Sequence, residues 1–251
     1  MRKSALEGKH IVVVGASGGV GREIVRRACE ENSHVLAVAR GREGLEQLRR
    51  EVAGVRTLAL DASQEEAPRQ VFQTLSPDVI VICGGATPAT APLQELSWSQ
   101  FAAPWESDVR MSFLFCRHAL RAPLAPGSAV ILISSGAGLG GSPISGGYAG
   151  AKRMQMFMAS YCQRESSRLG LGIRFAALVP MRIMPETALG KVAAAGYARY
   201  LGITASDFID GMRDRQSAAD VADAVIRLAA GEPSESDTVV SVSSAGLAKI
   251  S

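Results

Sequence analysis

The sequence predicts an α/β fold, a doubly wound parallel sheet with helices on both faces. Short runs rich in valine and isoleucine alternate with amphipathic stretches along most of the chain. The runs are apolar throughout, which is the pattern of strands buried on both faces of a sheet. Turn-forming residues, with 26 glycines among them, separate the two kinds of segment. Strict alternation of strand and helix is what a doubly wound sheet requires.

Taken in order, strands are expected at His10–Val14, His34–Ala39, Arg56–Leu60, Asp78–Cys83, Ser128–Ser134, Ile173–Leu178 and Thr238–Val242. The amphipathic stretches between them predict helices at Val20–Glu31, Arg42–Val52, Glu65–Thr74, Trp98–Arg121, Gly147–Leu169 and Ala218–Ala230. Right-handed crossovers bring the strand ends Gly15, Arg40, Asp61, Gly84 and Ser135 to one edge of the sheet, where ligands bind in this architecture. One segment departs from the alternation. Residues 181–216 contain no clear strand, only helix-compatible pieces at Lys191–Leu201 and Ala205–Met212. They read as an insertion covering the site, inside a single domain spanning 1–251.

Composition narrows the classes. With 251 residues, 47% of them hydrophobic and 20% charged, the chain reads as soluble and globular. Its apolar runs, such as Val79–Cys83 and Ala129–Ile133, are far shorter than a membrane span. Met1–Lys9 is polar and leads straight into a strand, so no signal peptide is expected. Net charge is +3, and the densest basic group is Arg40, Arg42, Arg49 and Arg50. That local field suits one phosphate better than a nucleic-acid backbone. The four cysteines contain no CxxC, which predicts reduced thiols in a cytoplasmic protein. Only three histidines are present, and no metal site is expected.

The first strand runs into Gly15-Ala16-Ser17-Gly18-Gly19-Val20-Gly21 and then a helix. Glycines there permit a tight turn and let backbone N–H groups approach a pyrophosphate at the positive helix end. The second strand ends at Arg40, with no carboxylate to accept ribose hydroxyls. Arg40 and Arg42 instead offer donors to a 2′-phosphate, so NADP(H) is expected over NAD(H). Asp61, followed by Ala62, closes the third strand and is placed to accept from an adenine amino group.

Three patterns now stand in order: Gly15-x-x-x-Gly19-x-Gly21, then Ser135, then Tyr148-Ala149-Gly150-Ala151-Lys152. Together they resemble the short-chain dehydrogenase/reductase family, over about residues 9 to 242. Tyr148 and Lys152 are four apart on an expected helix and share a face. A lysine cation close to a phenol favours the phenolate. The resemblance implies a Rossmann-type fold and a Ser-Tyr-Lys catalytic set, in which the tyrosine exchanges the proton and the serine orients the substrate. The lysine would anchor the nicotinamide ribose, while the hydride belongs to the cofactor.

The chain also departs from that pattern. Asn32 is its only asparagine. The family's Asn-Asn-Ala-Gly is replaced by Cys83-Gly84-Gly85-Ala86, whose Gly84 and Gly85 still let the backbone approach the adenine ribose. Asp108 stands where an asparagine normally completes a proton relay through water to the lysine. Where the family shows Pro-Gly and a threonine, this chain has Pro180-Met181-Arg182-Ile183; Ile183 retains a backbone contact for the carboxamide, and Thr187 falls two residues late.

The insertion supplies Met181, Met184, Leu189, Val192, Tyr197, Tyr200 and Phe208, which suit a small, semi-apolar substrate. The resemblance further implies a homodimer or homotetramer through helices 98–121 and 147–169, with Met154, Met158, Tyr161 and Cys162 as exposed-face candidates. Two rival functions stand beside the reductase. One is a non-catalytic NADP(H)-binding regulator; the other is an epimerase or dehydratase that uses the cofactor transiently.

Overall fold

The computed structural model describes residues 4–232 and 237–250; the ends of the expected 1–251 span lie outside the described residues. One eight-stranded sheet organises the chain. Its strands are β1 (His10–Val14), β2 (His34–Ala39), β3 (Arg56–Ala59), β4 (Val79–Ile82), β5 (Ala129–Ile133), β6 (Arg174–Pro180), β7 (Val239–Ser243) and β8 (Gly246–Lys249). They lie in the order β3-β2-β1-β4-β5-β6-β7-β8. The first seven are parallel, and β8 returns antiparallel to β7.

The pleat divides each strand between two cores. Ile11 and Val13 of β1 and Ile131 and Ile133 of β5 face one side. There they meet α1 (Gly19–Glu30), α2 (Arg42–Glu51) and α10 (Ala218–Ala229). Val12, Val14, Val130 and Leu132 face the other. That side holds α3 (Ala67–Thr74), α5 (Arg110–Arg121) and α7 (Gly146–Arg168). Because both faces are covered, β4 and β5 are apolar at every position, and β1, β2 and β6 at every position after the first. β1 lies between β2 and β4, so the chain leaves it in opposite directions and a crevice opens at the carboxyl ends.

Three features were not expected. The helix expected at Trp98–Arg121 is broken: α4 (Trp98–Pro104) and α5 flank a π-helical turn, Trp105–Val109. Pro104 is the physical reason, since its ring disrupts the bonding of the preceding turn and the backbone re-closes with a wider one. A short helix, α6 (Ala137–Gly140), follows β5, and β8 borders the sheet. The insertion folds as α8 (Ala188–Leu201) and α9 (Ala205–Asp210), without a strand. Asn32 sits at φ +59° beyond α1, a left-handed position that asparagine tolerates.

Among the described residues no helix is long and apolar enough to cross a membrane. On α5 and α7, Phe113, Phe157 and Tyr161 are exposed. Of the four exposed-face candidates, Met158 is buried instead, because its position on α7 turns it into the core with Met156 and Ala159. Met154 and Cys162 are half-buried and pack on the same core; only Tyr161 is exposed.

Candidate functional site

The carboxyl ends of the strands and the cover helix α8 enclose a cleft of about 1150 Å³. Gly15, Ser17, Gly18, Gly19, Val20 and Gly21 line it from the first turn, and Arg40, Asp61 and Ala62 from the ends of β2 and β3. Gly84, Gly85, Asp108, Ser135, Tyr148, Lys152, Pro180 and Ile183 complete it. Every site residue expected from the sequence, Arg42 excepted, therefore lines one cavity. Arg42 begins α2 and points to solvent.

The glycine loop is built by close approach. Gly15, at φ +86°, lies so near the backbone of Gly84 that any Cβ would collide, and a Cβ on Gly21 would strike the Gly15 carbonyl. Gly18 faces open space. It caps α1 without a side-chain bond, and the first turn has no acidic residue. The first turn of this twelve-residue helix thus lines the cleft with no side-chain cap on its N–H groups, and their partial positive charge suits a phosphate. Arg22 steadies the loop from below, donating to the Ser17 carbonyl at 3.0 Å and pairing with Glu51 at 3.4 Å.

At the far end of this wall, Arg40 is exposed and has no ion pair among the described residues. Asp61 is less free than its position implies. Its carboxylate accepts from the Ser63 amide at 3.0 Å, the Ser63 hydroxyl at 2.7 Å and Gln64 at 3.3 Å. These Ser63 bonds, with a smaller contribution from Arg40, hold its carboxyl below the ordinary aspartate range.

On the other wall, Tyr148 and Lys152 share a face of α7, with the Lys152 ammonium 5.6 Å from the centre of the Tyr148 ring. Ser135 follows β5; its Oγ accepts from the Ala137 amide at 3.2 Å, which leaves its own O–H to donate. Ser134 donates to the Lys152 carbonyl at 2.7 Å and ties the end of β5 to α7.

Lys152 is 5% exposed and Asp108 1%. Their charged atoms pair directly at 3.1 Å, where the resemblance implies a water between lysine and this side chain. Asp108 also accepts from the Ala86 amide at 2.9 Å. Burial works against the ammonium charge, but Asp108 and Tyr148 together outweigh it and hold Lys152 above the ordinary lysine range. Lys152 donates further to the Ile133 carbonyl and to Gln155 Oε1, each at 3.1 Å.

Above the cleft, Met181, Met184, Leu189 and Tyr197 line the cavity, whereas Val192, Tyr200 and Phe208 do not. Phe208 stacks behind Tyr197 at 5.3 Å, and Tyr200 is exposed. The cover docks on the loop after β4: Gly196 packs against Thr90, and Arg199 donates to the Thr90 carbonyl. Thr187 is the N-cap of α8, accepting from Gly190 at 2.9 Å. The sequence reading missed Gln155 and Ser112, both fully buried polar residues. The signal available for Gln155 was its i,i+3 spacing from Lys152 on the inward face of the helix.

A family model described as short chain dehydrogenase matches residues 9–194. An uncharacterised short-chain type dehydrogenase/reductase of Sinorhizobium fredii is 29% identical over 187 residues, covering 73% of this chain and 74% of that protein. An L-xylulose reductase of Mesocricetus auratus is 28% identical, and a 3beta-hydroxysteroid dehydrogenase of Mediterraneibacter gnavus is 27% identical. The matches cover 52% and 57% of this chain, and 54% and 55%, about half, of those relatives. Among solved structures, a 3-ketoacyl-(acyl-carrier-protein) reductase from Brucella melitensis complexed with NADH superposes with a TM-score of 0.77 at 19% identity. That superposition covers 94% of this chain and 97% of the other.

Proposed function

This chain belongs to the short-chain dehydrogenase/reductase family, and from that premise we propose that it is an NADP(H)-dependent oxidoreductase acting on a carbonyl or alcohol carbon of a small, semi-apolar substrate. The observation that carries the reading is the meeting of Ser135, Tyr148 and Lys152 with the uncapped start of α1 in one cleft. The cleft fits a dinucleotide: the Gly15–Gly84 contact leaves no side chain in its floor, and open space lies beside Gly18.

In this reading the loop Gly15–Gly21 holds the pyrophosphate by backbone N–H groups, and Arg40 pairs with the 2′-phosphate. Asp61 and Ala62 border the adenine, Gly84 and Gly85 the adjoining ribose, and Pro180 and Ile183 the carboxamide. When bound, the nicotinamide supplies or takes up the hydride. Tyr148 gives its phenolic proton to the substrate oxygen during reduction and recovers it in the reverse direction. Ser135 holds that oxygen with its free O–H. Lys152 places its charge beside Tyr148, and Asp108 fixes that charge in position. The apolar residues under α8 exclude water and shape the substrate end. The cytoplasm suits its free thiols, and the aromatic faces of α5 and α7 suit assembly with further copies of the chain.

Titration of the purified protein with NADPH and NADH, followed by nicotinamide fluorescence, tests this. Tight NADPH with weak NADH supports the reading and justifies a screen of carbonyl substrates. Binding of neither overturns it, and binding without turnover on any substrate favours the regulator.

A further inference from the structure

An ammonium carries three N–H donors and no acceptor. In Lys152 all three face protein acceptors: the Ile133 carbonyl and Gln155 Oε1 through hydrogen bonds, and Asp108 Oδ2 through an ion pair at 3.1 Å. A ligand in the cleft can gain a hydrogen bond from Lys152 only by displacing one of them.

The three are not equivalent. Asp108 opposes the ammonium with a full charge and is itself fixed by the Ala86 amide. The Ile133 carbonyl belongs to the last residue of β5 and moves only with the sheet. Gln155 is neutral and sits on a side chain that can rotate. It is 0% exposed, and its Nε2 donates to Ser112 Oγ at 2.8 Å, while Ser112 donates to the Asp108 carbonyl at 2.8 Å. Asp108, Lys152, Gln155 and Ser112 thus close a buried ring between α7 and the junction of the π-helical turn with α5. A buried amide of this kind is retained at a cost unless all its bonds are made.

We propose that Gln155 is a positioning residue that holds the third N–H of Lys152 until a ribose hydroxyl of the nicotinamide nucleotide replaces it. The inference rests on the nucleotide reading above and goes beyond it: affinity for the nicotinamide half is set by an exchange at Gln155, while affinity for the adenosine half is not. Removing the competing acceptor leaves Lys152 held by Asp108 and Ile133 with one donor free. Making that acceptor anionic locks the donor in place.

The test is an equilibrium titration of the full chain and its Gln155→Met, Gln155→Glu and Ser112→Ala variants with two probes. One is NADPH; the other is adenosine 2′,5′-bisphosphate, which has no nicotinamide ribose. NADH and ADP serve as the pair if the chain prefers NADH. Gln155→Met tightens NADPH by about tenfold and Gln155→Glu loosens it by about tenfold, with the bisphosphate unchanged in both, since one hydrogen bond to a charged group is at stake. Ser112→Ala frees the glutamine amide and tightens NADPH by a smaller factor, which keeps the test available if Gln155→Met does not fold. NADPH affinities that stay constant, or that move in parallel with the bisphosphate, overturn the proposal and leave Gln155 a packing residue. A wild-type chain that binds no nucleotide overturns the nucleotide reading itself, and the proposal with it.

Discussion

The carboxylate of Asp108 fills the space that a side chain at Gly85 would need: a Cβ there would lie 2.5 Å from Oδ2 and 2.7 Å from Oδ1. Asp108 cannot retreat readily, because the Ala86 amide and Lys152 hold it from two sides. The glycine in the loop after β4 and the aspartate before α5 are one adaptation. Gly85→Ala is therefore expected to destabilise the fold by about 1–3 kcal/mol through overpacking, read as a fall in the thermal midpoint. An unchanged midpoint would mean that Asp108 moves aside freely.

Asp108→Asn removes the countercharge of a buried lysine. A loss of about 3 kcal/mol is expected from stranding that ammonium. Asp108 is the largest influence keeping Lys152 charged, so without it burial dominates and the ammonium releases its proton at lower pH. The pH–rate profile should then move toward acid; a superimposable profile would separate Asp108 from the chemistry.

Tyr148→Phe keeps the ring under Lys152 and deletes only the hydroxyl. Turnover should fall by about a thousandfold, in the range of a lost general acid, with NADPH affinity nearly constant by titration. Lost NADPH binding would count against the tyrosine as proton donor.

Arg40→Asp replaces attraction for a 2′-phosphate by repulsion. NADPH affinity should drop by about a hundredfold while NADH affinity changes little. Equal losses for both nucleotides would undo the assignment of Arg40.

Alkaline pH should weaken the fold in a defined window. Burial pushes the thiols of Cys29 and Cys83 from 9.0 up to about 11. In the unfolded chain they ionise first, so the stability they contribute is complete below pH 9.0 and is lost as pH rises to about 11. Urea midpoints measured from pH 8 to 11 should decline in that interval, and less steeply in Cys83→Ala. A flat profile would contradict neutral, half-buried thiols.

Much of this architecture is legible in the chain because its central strands are apolar almost throughout and its turns are rich in glycine. β1 and β2 fall at the residues expected of them. The cleft was legible for the same reason: once the strand order is known, Gly15, Arg40, Asp61, Gly84 and Ser135 must share an edge. What escaped depends on contacts distant in sequence. Pro104 was passed over within a long amphipathic pattern, although its ring forces the π-helical turn that sets Asp108 beside Lys152. Gln155 reads as an ordinary helical residue until Ser112, 43 positions earlier, is seen to complete its bonding. Met158 satisfies an outward pattern only if the helix is rotated by part of a turn, whereas its side chain joins the core cluster that also holds Phe115 and Phe175.

The contact between Gly196 and Thr90 has a further consequence for what the enzyme can admit. Helix α8 rests its backbone directly on the threonine side chain, with no intervening side chain to act as a compressible spacer. The roof of the cavity therefore stands at a fixed height above the loop that follows β4. On the proposed reading, a thin substrate would pass beneath it and a bulky one would have to lift the whole helix, so selectivity by thickness would be set at a point outside the cavity's own chemistry.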